Sequence, residues 1–234
     1  MSFIRNYFVD VTKRKLQHFA ENATFPHFFQ PDYKTLKTAF FLKGRWNKDF
    51  FKNNAPIVLE LGCGKGEFTT GLASRYPDKN FIGIDIKGAR MWRGAKTSFE
   101  ASMTNVAYVR TQIELIEFVF GKQEVSEIWI TFPDPFPQKP KSKKRLTSPQ
   151  FLNRYRQIAK KNTIVHLKTD NTSFFDYTLS TIVEQNLKLL SHTYNLDNNP
   201  VDSNAASIYT FYEEKFREKG ESIKYLKFRL FPEK

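Results

Sequence analysis

Ile57-Val58-Leu59-Glu60-Leu61-Gly62-Cys63-Gly64-Lys65-Gly66 is the stretch that decides the fold of this chain. A short apolar run carrying one glutamate gives way to glycine at every second position. A run this short, closed by glycine, reads as a strand, Ile57–Leu61, buried in a parallel sheet. The glycines allow a tight turn and let a ligand approach the backbone with no Cβ in between. Glu67–Tyr76 has helical character, and its first N–H groups point back at the same turn. Strand, glycine turn and helix in that order read as a nucleotide-type cofactor site.

Working outward, the rhythm continues. Asn80–Ile86 reads as a strand, Lys87–Met103 as a helix, Val106–Val109 as a strand and Ile113–Phe120 as a shorter helix. Glu127–Phe132 is a fourth strand. Ser148-Pro149 has the look of an N-cap followed by proline at the first helical position, opening a helix to about Lys160. Thr163–Leu167 is a fifth strand and Thr172–Glu184 a further helix. Lys188–Asn195 and Ile223–Phe231 fit an antiparallel edge. Strands alternating with helices predict an α/β, Rossmann-like fold with a mainly parallel seven-stranded sheet and helices on both faces. This domain is expected over residues 53–234. Residues 1–52 stand apart from the βα rhythm as a basic, aromatic N-terminal arm, with Lys13-Arg14-Lys15, Phe25-Pro26-His27-Phe28-Phe29, Gly44-Arg45-Trp46 and Phe50-Phe51. Two readings of the arm stand equal: it touches a nucleic acid, or it packs over the sheet with its aromatics buried.

Composition narrows the partner. Among 234 residues, 37 are Lys or Arg against 24 Asp or Glu, a formal net charge of +13. Such an excess, locally clustered, points to a polyanion, most simply nucleic acid. The single cysteine, Cys63, rules out an intrachain disulfide, and between two glycines it reads as a small turn residue. No apolar run approaches the roughly 18 residues that span a bilayer, and Arg5 and Asp10 interrupt the early apolar residues. A soluble cytoplasmic protein, with no membrane partner, is expected. The oligomeric state, monomer or homodimer, is open.

Glycine spacing sorts the cofactor. A dinucleotide turn asks for G-x-G-x-x-G, whereas Gly62, Gly64 and Gly66 give G-x-G-x-G. With Glu60 ahead of it, the pattern resembles motif I of class I S-adenosylmethionine-dependent methyltransferases. That ligand has no pyrophosphate to cradle, and its sulfonium and ammonium groups suit a nearby carboxylate. The lesser alternative is that Glu60 simply caps the following loop. Asp85, ending the second strand, can accept hydrogen bonds from both ribose hydroxyls. Gln112, after the third strand, can reach an adenine edge or simply start a helix in solvent.

After the fourth strand comes Thr131-Phe132-Pro133-Asp134-Pro135-Phe136-Pro137-Gln138-Lys139-Pro140-Lys141-Ser142-Lys143-Lys144-Arg145. Prolines on both sides stiffen the backbone at Asp134. Five of the seven residues from Lys139 to Arg145 are basic, which suits phosphate contacts beside the methyl donor. This stretch, Thr169-Asp170-Asn171 and Thr210-Phe211-Tyr212-Glu213-Glu214-Lys215 together resemble the tRNA (guanine-N7)-methyltransferases of bacteria, whose motifs run F-P-D-P-W, T-D-N and T-x-[FY]-E-x-[KR]. The resemblance runs from about Trp46 to the C-terminus. It implies a class I methyltransferase fold and transfer of methyl from S-adenosylmethionine to N7 of a guanosine in the variable loop of tRNA. It assigns Glu60, Asp85, Gln112 and Asp134 to the cofactor, beside the glycine loop of Gly62 and Gly64, with Asp134 catalytic. It assigns Asp170 and Thr210–Glu213, with Thr210 and Glu213 at the ends, to the guanosine, and Lys141, Lys143, Lys144 and Arg145 to RNA. Three positions depart from the pattern: Gln112 replaces an Asp or Asn, Phe136 a Trp, and Gln138 a substrate-binding Lys, with Lys139 one position later. An NAD-type oxidoreductase, a non-catalytic RNA-binding protein and an amino-N methyltransferase are the rival readings.

Overall fold

The computed structural model describes residues 14–233. Lys13, in the expected basic cluster, and the rest of the arm's first residues lie outside that range. An eight-stranded sheet runs through the molecule, its strands being β1 (Phe28–Phe29), β2 (Ile57–Leu61), β3 (Asn80–Asp85), β4 (Val106–Arg110), β5 (Val125–Thr131), β6 (Ala159–Thr169), β7 (Leu189–Thr193) and β8 (Lys224–Arg229). Their spatial order is β1-β4-β3-β2-β5-β6-β8-β7. All neighbours from β1 to β6 pair in parallel, and β8 runs antiparallel between β6 and β7. Relative to the expected seven strands, one more joins at the β4 edge. Phe28–Phe29 is too short to carry a periodic signal, and it becomes a strand only through the backbone of β4. The antiparallel strand is also one place in from the edge, because β7 closes over it.

Side chains alternate across each strand, and the core therefore splits into two layers. Ile57, Leu59, Leu61, Ile82, Ile84, Ile128, Ile130, Val165 and Leu167 face one side. There they meet α6 (Pro149–Ile158) and α7 (Thr172–Glu184). Val58, Phe81, Tyr108 and Trp129 face the other, under α3 (Glu67–Arg75) and α4 (Gly88–Glu100). On that second face the alternation also sets polar residues, Glu60, Thr131, His166 and Lys168, all buried.

Among the described residues of the N-terminal segment, Phe25, Phe28, Phe40, Trp46 and Phe51 are core residues, while Tyr33 and Phe41 stay exposed. Trp46 is completely buried and donates through Nε1 to Val119 O over 3.1 Å. Phe29 meets it edge-on with ring centroids 5.4 Å apart. A helix over residues 14–22, α1, lies on α4, where His18 stacks on Trp92 at 3.9 Å and Glu21 pairs with Lys96 at 3.0 Å, and the shorter helices are α2 (Tyr33–Ala39), α5 (Ile116–Val119) and α8 (Ser203–Ser207). Of the two readings of the arm, the packed one describes these aromatics. At α6, Pro149 holds the first helical position as expected, but the Ser148 hydroxyl donates to Lys143 O instead of capping the helix. Among the described residues no helix is long and apolar enough to cross a membrane.

Candidate active site

Strand order reverses between β2 and β5: the chain proceeds from β2 to β3 on one side and reaches β5 on the other. Ligands of open α/β sheets bind beyond the carboxyl ends of strands at such a point. Five loops gather there, after β2 (Gly62–Gly66), β3 (Asp85), β4 (Gln112), β5 (Asp134) and β6 (Asp170), because the registers hold these strand ends level.

The glycine turn is built by backbone conformation. Gly62, Gly64 and Gly66 have φ of +76°, +54° and +73°, the left-handed region that side chains resist. Gly62 and Cys63 both donate to Ile84 O, over 2.8 and 3.0 Å, pinning the turn to β3. A Cβ on Gly62 would meet nothing within 4 Å, and one on Gly64 nothing nearer than 4.0 Å. These two glycines therefore face open space, a cradle that a side chain would fill. Gly66 is different: a Cβ there would strike Tyr108 at 2.8 Å.

Asp85 sits half-buried at the end of β3. Its Oδ2 accepts from Gly64 N over 2.9 Å and its Oδ1 from Lys87 N over 2.8 Å. Each carboxylate oxygen keeps a second lone pair, free for paired hydroxyls. Gln112 is exposed at the start of a short 3-10 turn, with no side-chain capping bond. The open glycine turn with the Asp85 carboxylate and the Gln112 amide beside it thus fits an adenosine.

Glu60 lies beneath the turn, its side chain on the α3 face. Thr69 Oγ1 donates to Oε2, and Thr131 Oγ1 donates to Oε1 over 2.7 Å. It ties β2, α3 and β5 together at the switch point. Burial pushes its carboxyl up to about 7, against the downward pull of the two threonine bonds.

The β5 loop carries unusual backbone. Phe132 and Phe136 have φ of +47° and +40°, costly for bulky side chains and held only by surrounding contacts. Phe132 N donates to Lys168 O over 2.8 Å, and its ring stacks on Phe216 at 5.8 Å. Asp134, between the two strained residues, is exposed, and its carboxylate has no hydrogen-bond or ion-pair partner among the described residues. Arg145 braces this loop. It donates to Pro135 O over 3.1 Å and to Phe136 O over 3.1 Å, and lies 4.2 Å over the Tyr177 ring. Gln138, Lys139, Lys141, Lys143 and Lys144 are exposed, all but Gln138 within a 3-10 turn, Lys139–Lys144.

Asp170 is half-buried after β6, and burial raises its carboxyl above the ordinary value. Thr210 caps α9 (Phe211–Glu218), its hydroxyl accepting from Glu213 N over 3.2 Å. Glu213 points inward and is fully buried. Its Oε2 is 2.6 Å from Lys168 Nζ and its Oε1 2.8 Å from Arg217. Lys168 also donates to Ile208 O over 3.1 Å, and burial lowers its pKa against the upward pull of Glu213. Sequence reasoning missed Lys168 and Arg217. A lysine at a core-facing register position of β6, between Leu167 and Thr169, is the signal that could have found the first. Among the described residues no cluster of His, Cys, Asp or Glu could hold a metal.

Strand order, the glycine cradle and the Asp85 carboxylate bonded to it belong to a class I S-adenosylmethionine-dependent methyltransferase. A family model described as "Putative methyltransferase" matches residues 54–226. The solved 16S rRNA methyltransferase KamB superposes with a TM-score of 0.61 at 15% identity, over 79% of this chain and 92% of that one, which fixes the fold. The tRNA (guanine-N(7)-)-methyltransferase of Christiangramia forsetii is 50% identical over 221 residues, covering 94% of this chain and 99% of its own length. That of Bacteroides fragilis is 50% identical over 93% of this chain and 86% of its own length. This chain belongs to the tRNA (guanine-N7)-methyltransferase family.

Proposed function

We propose that this protein transfers the methyl group of S-adenosylmethionine to N7 of a guanosine in the variable loop of tRNA. The observation that carries the reading is the Asp134 loop. A carboxylate with no partner among the described residues is held by strained, braced backbone in the loop after the strand that neighbours the glycine cradle. The bound cofactor supplies an electrophilic methyl group on a sulfonium. Guanine N7 has an in-plane lone pair and no proton, so no strong base is required. What the site must do is align the acceptor with the methyl group and exclude water. It must also tolerate a positive charge that passes to the purine. Asp134 and Asp170 can accept hydrogen bonds from guanine N–H groups and stabilise the cationic ring.

In this reading Gly62, Gly64, Asp85 and Gln112 line the cofactor. Gln138 or Lys139, Asp170 and Thr210 receive the guanosine. Lys141, Lys143 and Lys144 meet phosphates. Glu60, Glu213 and Arg145 serve their ligands at one remove: Glu60 from beneath the cradle, Glu213 by seating α9, Arg145 by holding the Asp134 loop. In A-form RNA, N7 faces a groove that protein does not enter, so the target must be exposed or distorted, and the basic turn reads tRNA shape.

The test is to incubate the protein with methyl-labelled S-adenosylmethionine and unmodified tRNA, digest to nucleosides and identify the product. 7-Methylguanosine from the variable loop is expected. Label on an exocyclic amine would move the protein to the amino-N methyltransferases, and tRNA binding without transfer would leave a binding protein on this scaffold.

A further inference from the structure

The segment assigned to the guanosine rests on the glycine loop itself. Glu67, the residue after Gly66 and the first of α3, accepts from Phe211 N through Oε2 over 2.8 Å. Phe211 opens α9, where the first N–H groups have no partner inside the helix and a carboxylate is favoured by the dipole. Lys65 Nζ sits 3.1 Å over the Phe211 ring. Tyr212 lies 4.0 Å from the position of a Cβ on Gly64, and Ile208 packs so closely on Gly71 that a Cβ there would meet it at 2.7 Å. Residues 208–212 are thus docked on the loop and helix that cradle the cofactor, across a long stretch of sequence.

We propose that Glu67 is a positioning residue that couples the two sites, so that cofactor and tRNA each tighten the binding of the other. A ligand that settles Gly62–Gly66 settles Glu67, and through the Phe211 N–H it settles the start of α9. The coupling must be reciprocal, one factor acting in both directions. The inference rests on the methyltransferase reading above.

The experiment uses S-adenosylhomocysteine, which cannot react. Its Kd is measured by calorimetry with and without tRNA, and the Kd of tRNA by filter binding with and without saturating S-adenosylhomocysteine. In the wild-type protein each ligand should tighten the other by about tenfold, within the range usual for coupled sites. Glu67→Ala should bind S-adenosylhomocysteine alone within about threefold of wild type while the factor falls to about one. Glu67→Gln keeps an acceptor oxygen and should restore most of the coupling. Phe211→Pro deletes the donor from the other side. Proline is accepted at a first helical position, and Thr210, at φ −110° and ψ 157°, has the extended backbone that proline requires before it. It too should lose the coupling, and it decides the matter if Glu67→Ala does not fold. A wild-type factor of one, an undiminished factor in Phe211→Pro or in a folded Glu67→Ala, or a Gln variant as uncoupled as the Ala variant would overturn the proposal. A wild-type protein that binds neither ligand would instead overturn the methyltransferase reading.

Discussion

Lys168 Nζ and Glu213 Oε2 lie 2.6 Å apart with both side chains completely buried, joining the sixth strand of the sheet to α9. Buried charges are costly to strand, and removing one partner typically costs about 3–5 kcal/mol. Glu213→Leu should destabilise by about that amount, because it leaves Lys168 without a carboxylate. Lys168→Met should cost less, since Glu213 keeps Arg217 at 2.8 Å. The double variant should recover much of the loss. Urea unfolding of the four proteins in a double-mutant cycle checks this, and additive single costs would deny the pair any role in seating the helix.

Asp134 is exposed and unpartnered among the described residues, so Asp134→Ala should leave the melting temperature unchanged and tRNA affinity within several-fold. Turnover should fall by about 100-fold or more, the usual cost of removing a group aimed at developing charge. Single-turnover transfer with saturating tRNA measures it, and near-normal turnover would remove Asp134 from catalysis.

Arg145 and its lysine neighbours should separate in two assays. Lys143→Ala or Lys144→Ala should each reduce the salt dependence of tRNA binding by about one unit of slope, with turnover of bound substrate kept. Arg145→Ala frees the Pro135 and Phe136 carbonyls, so it should lower kcat while moving the salt slope little. The checks are binding titrations across a salt series and kcat at saturation.

Glu60 gives the ligand-free protein a pH signature. Its folded pKa of about 7 exceeds the ordinary 4.5, so the folded state holds a proton that the unfolded state has released between those values. Its contribution is full below pH 4.5 and is lost as pH rises through about 7. At ~1.4 kcal/mol per pKa unit that is about 3 kcal/mol. Glu60→Gln cannot ionise and should gain stability over wild type at pH 8, with little difference near pH 5. Denaturant midpoints at the two pH values test the sign.

Gly62 and Gly66 share a left-handed backbone but should fail differently. Gly62→Ala puts its methyl into open space, so the protein should fold with about 1–2 kcal/mol of strain and lose much of its affinity for S-adenosylhomocysteine. Gly66→Ala drives the methyl into Tyr108 and should impair folding first. Thermal melts with and without the ligand distinguish the two.

Much of this was legible in the residues themselves. The expected strand Ile57–Leu61 is β2 to the residue, because a short apolar run and the glycines after it are local signals. Strands alternating with helices fix a parallel sheet, and a parallel sheet brings every βα loop to one edge, so Asp85 and Asp134 were expected at that edge before any contact was known, while Asp170 was added only by the family resemblance. Local pattern carried no information about Phe28–Phe29 as a strand, because that pair borrows its conformation from β4.

Sequence by itself determined the kind of turn and the edge where the loops gather, since these follow from periodicity and glycine spacing read over a few residues at a time, and its resemblance to a methyltransferase motif pointed to the cofactor. Only the tertiary structure decided which carboxylates and cations stay open to solvent and which are taken up by partners. Glu60, Glu213 and Arg145 look in sequence like Asp85, Asp134 and Lys144, yet the first three are spent on Thr69 and Thr131, on Lys168 and Arg217, and on the carbonyls of Pro135 and Phe136. The reason is physical: whether a charge meets solvent or a buried partner depends on which face of its strand or helix another element covers. Most of those covering contacts come from residues far away in the chain.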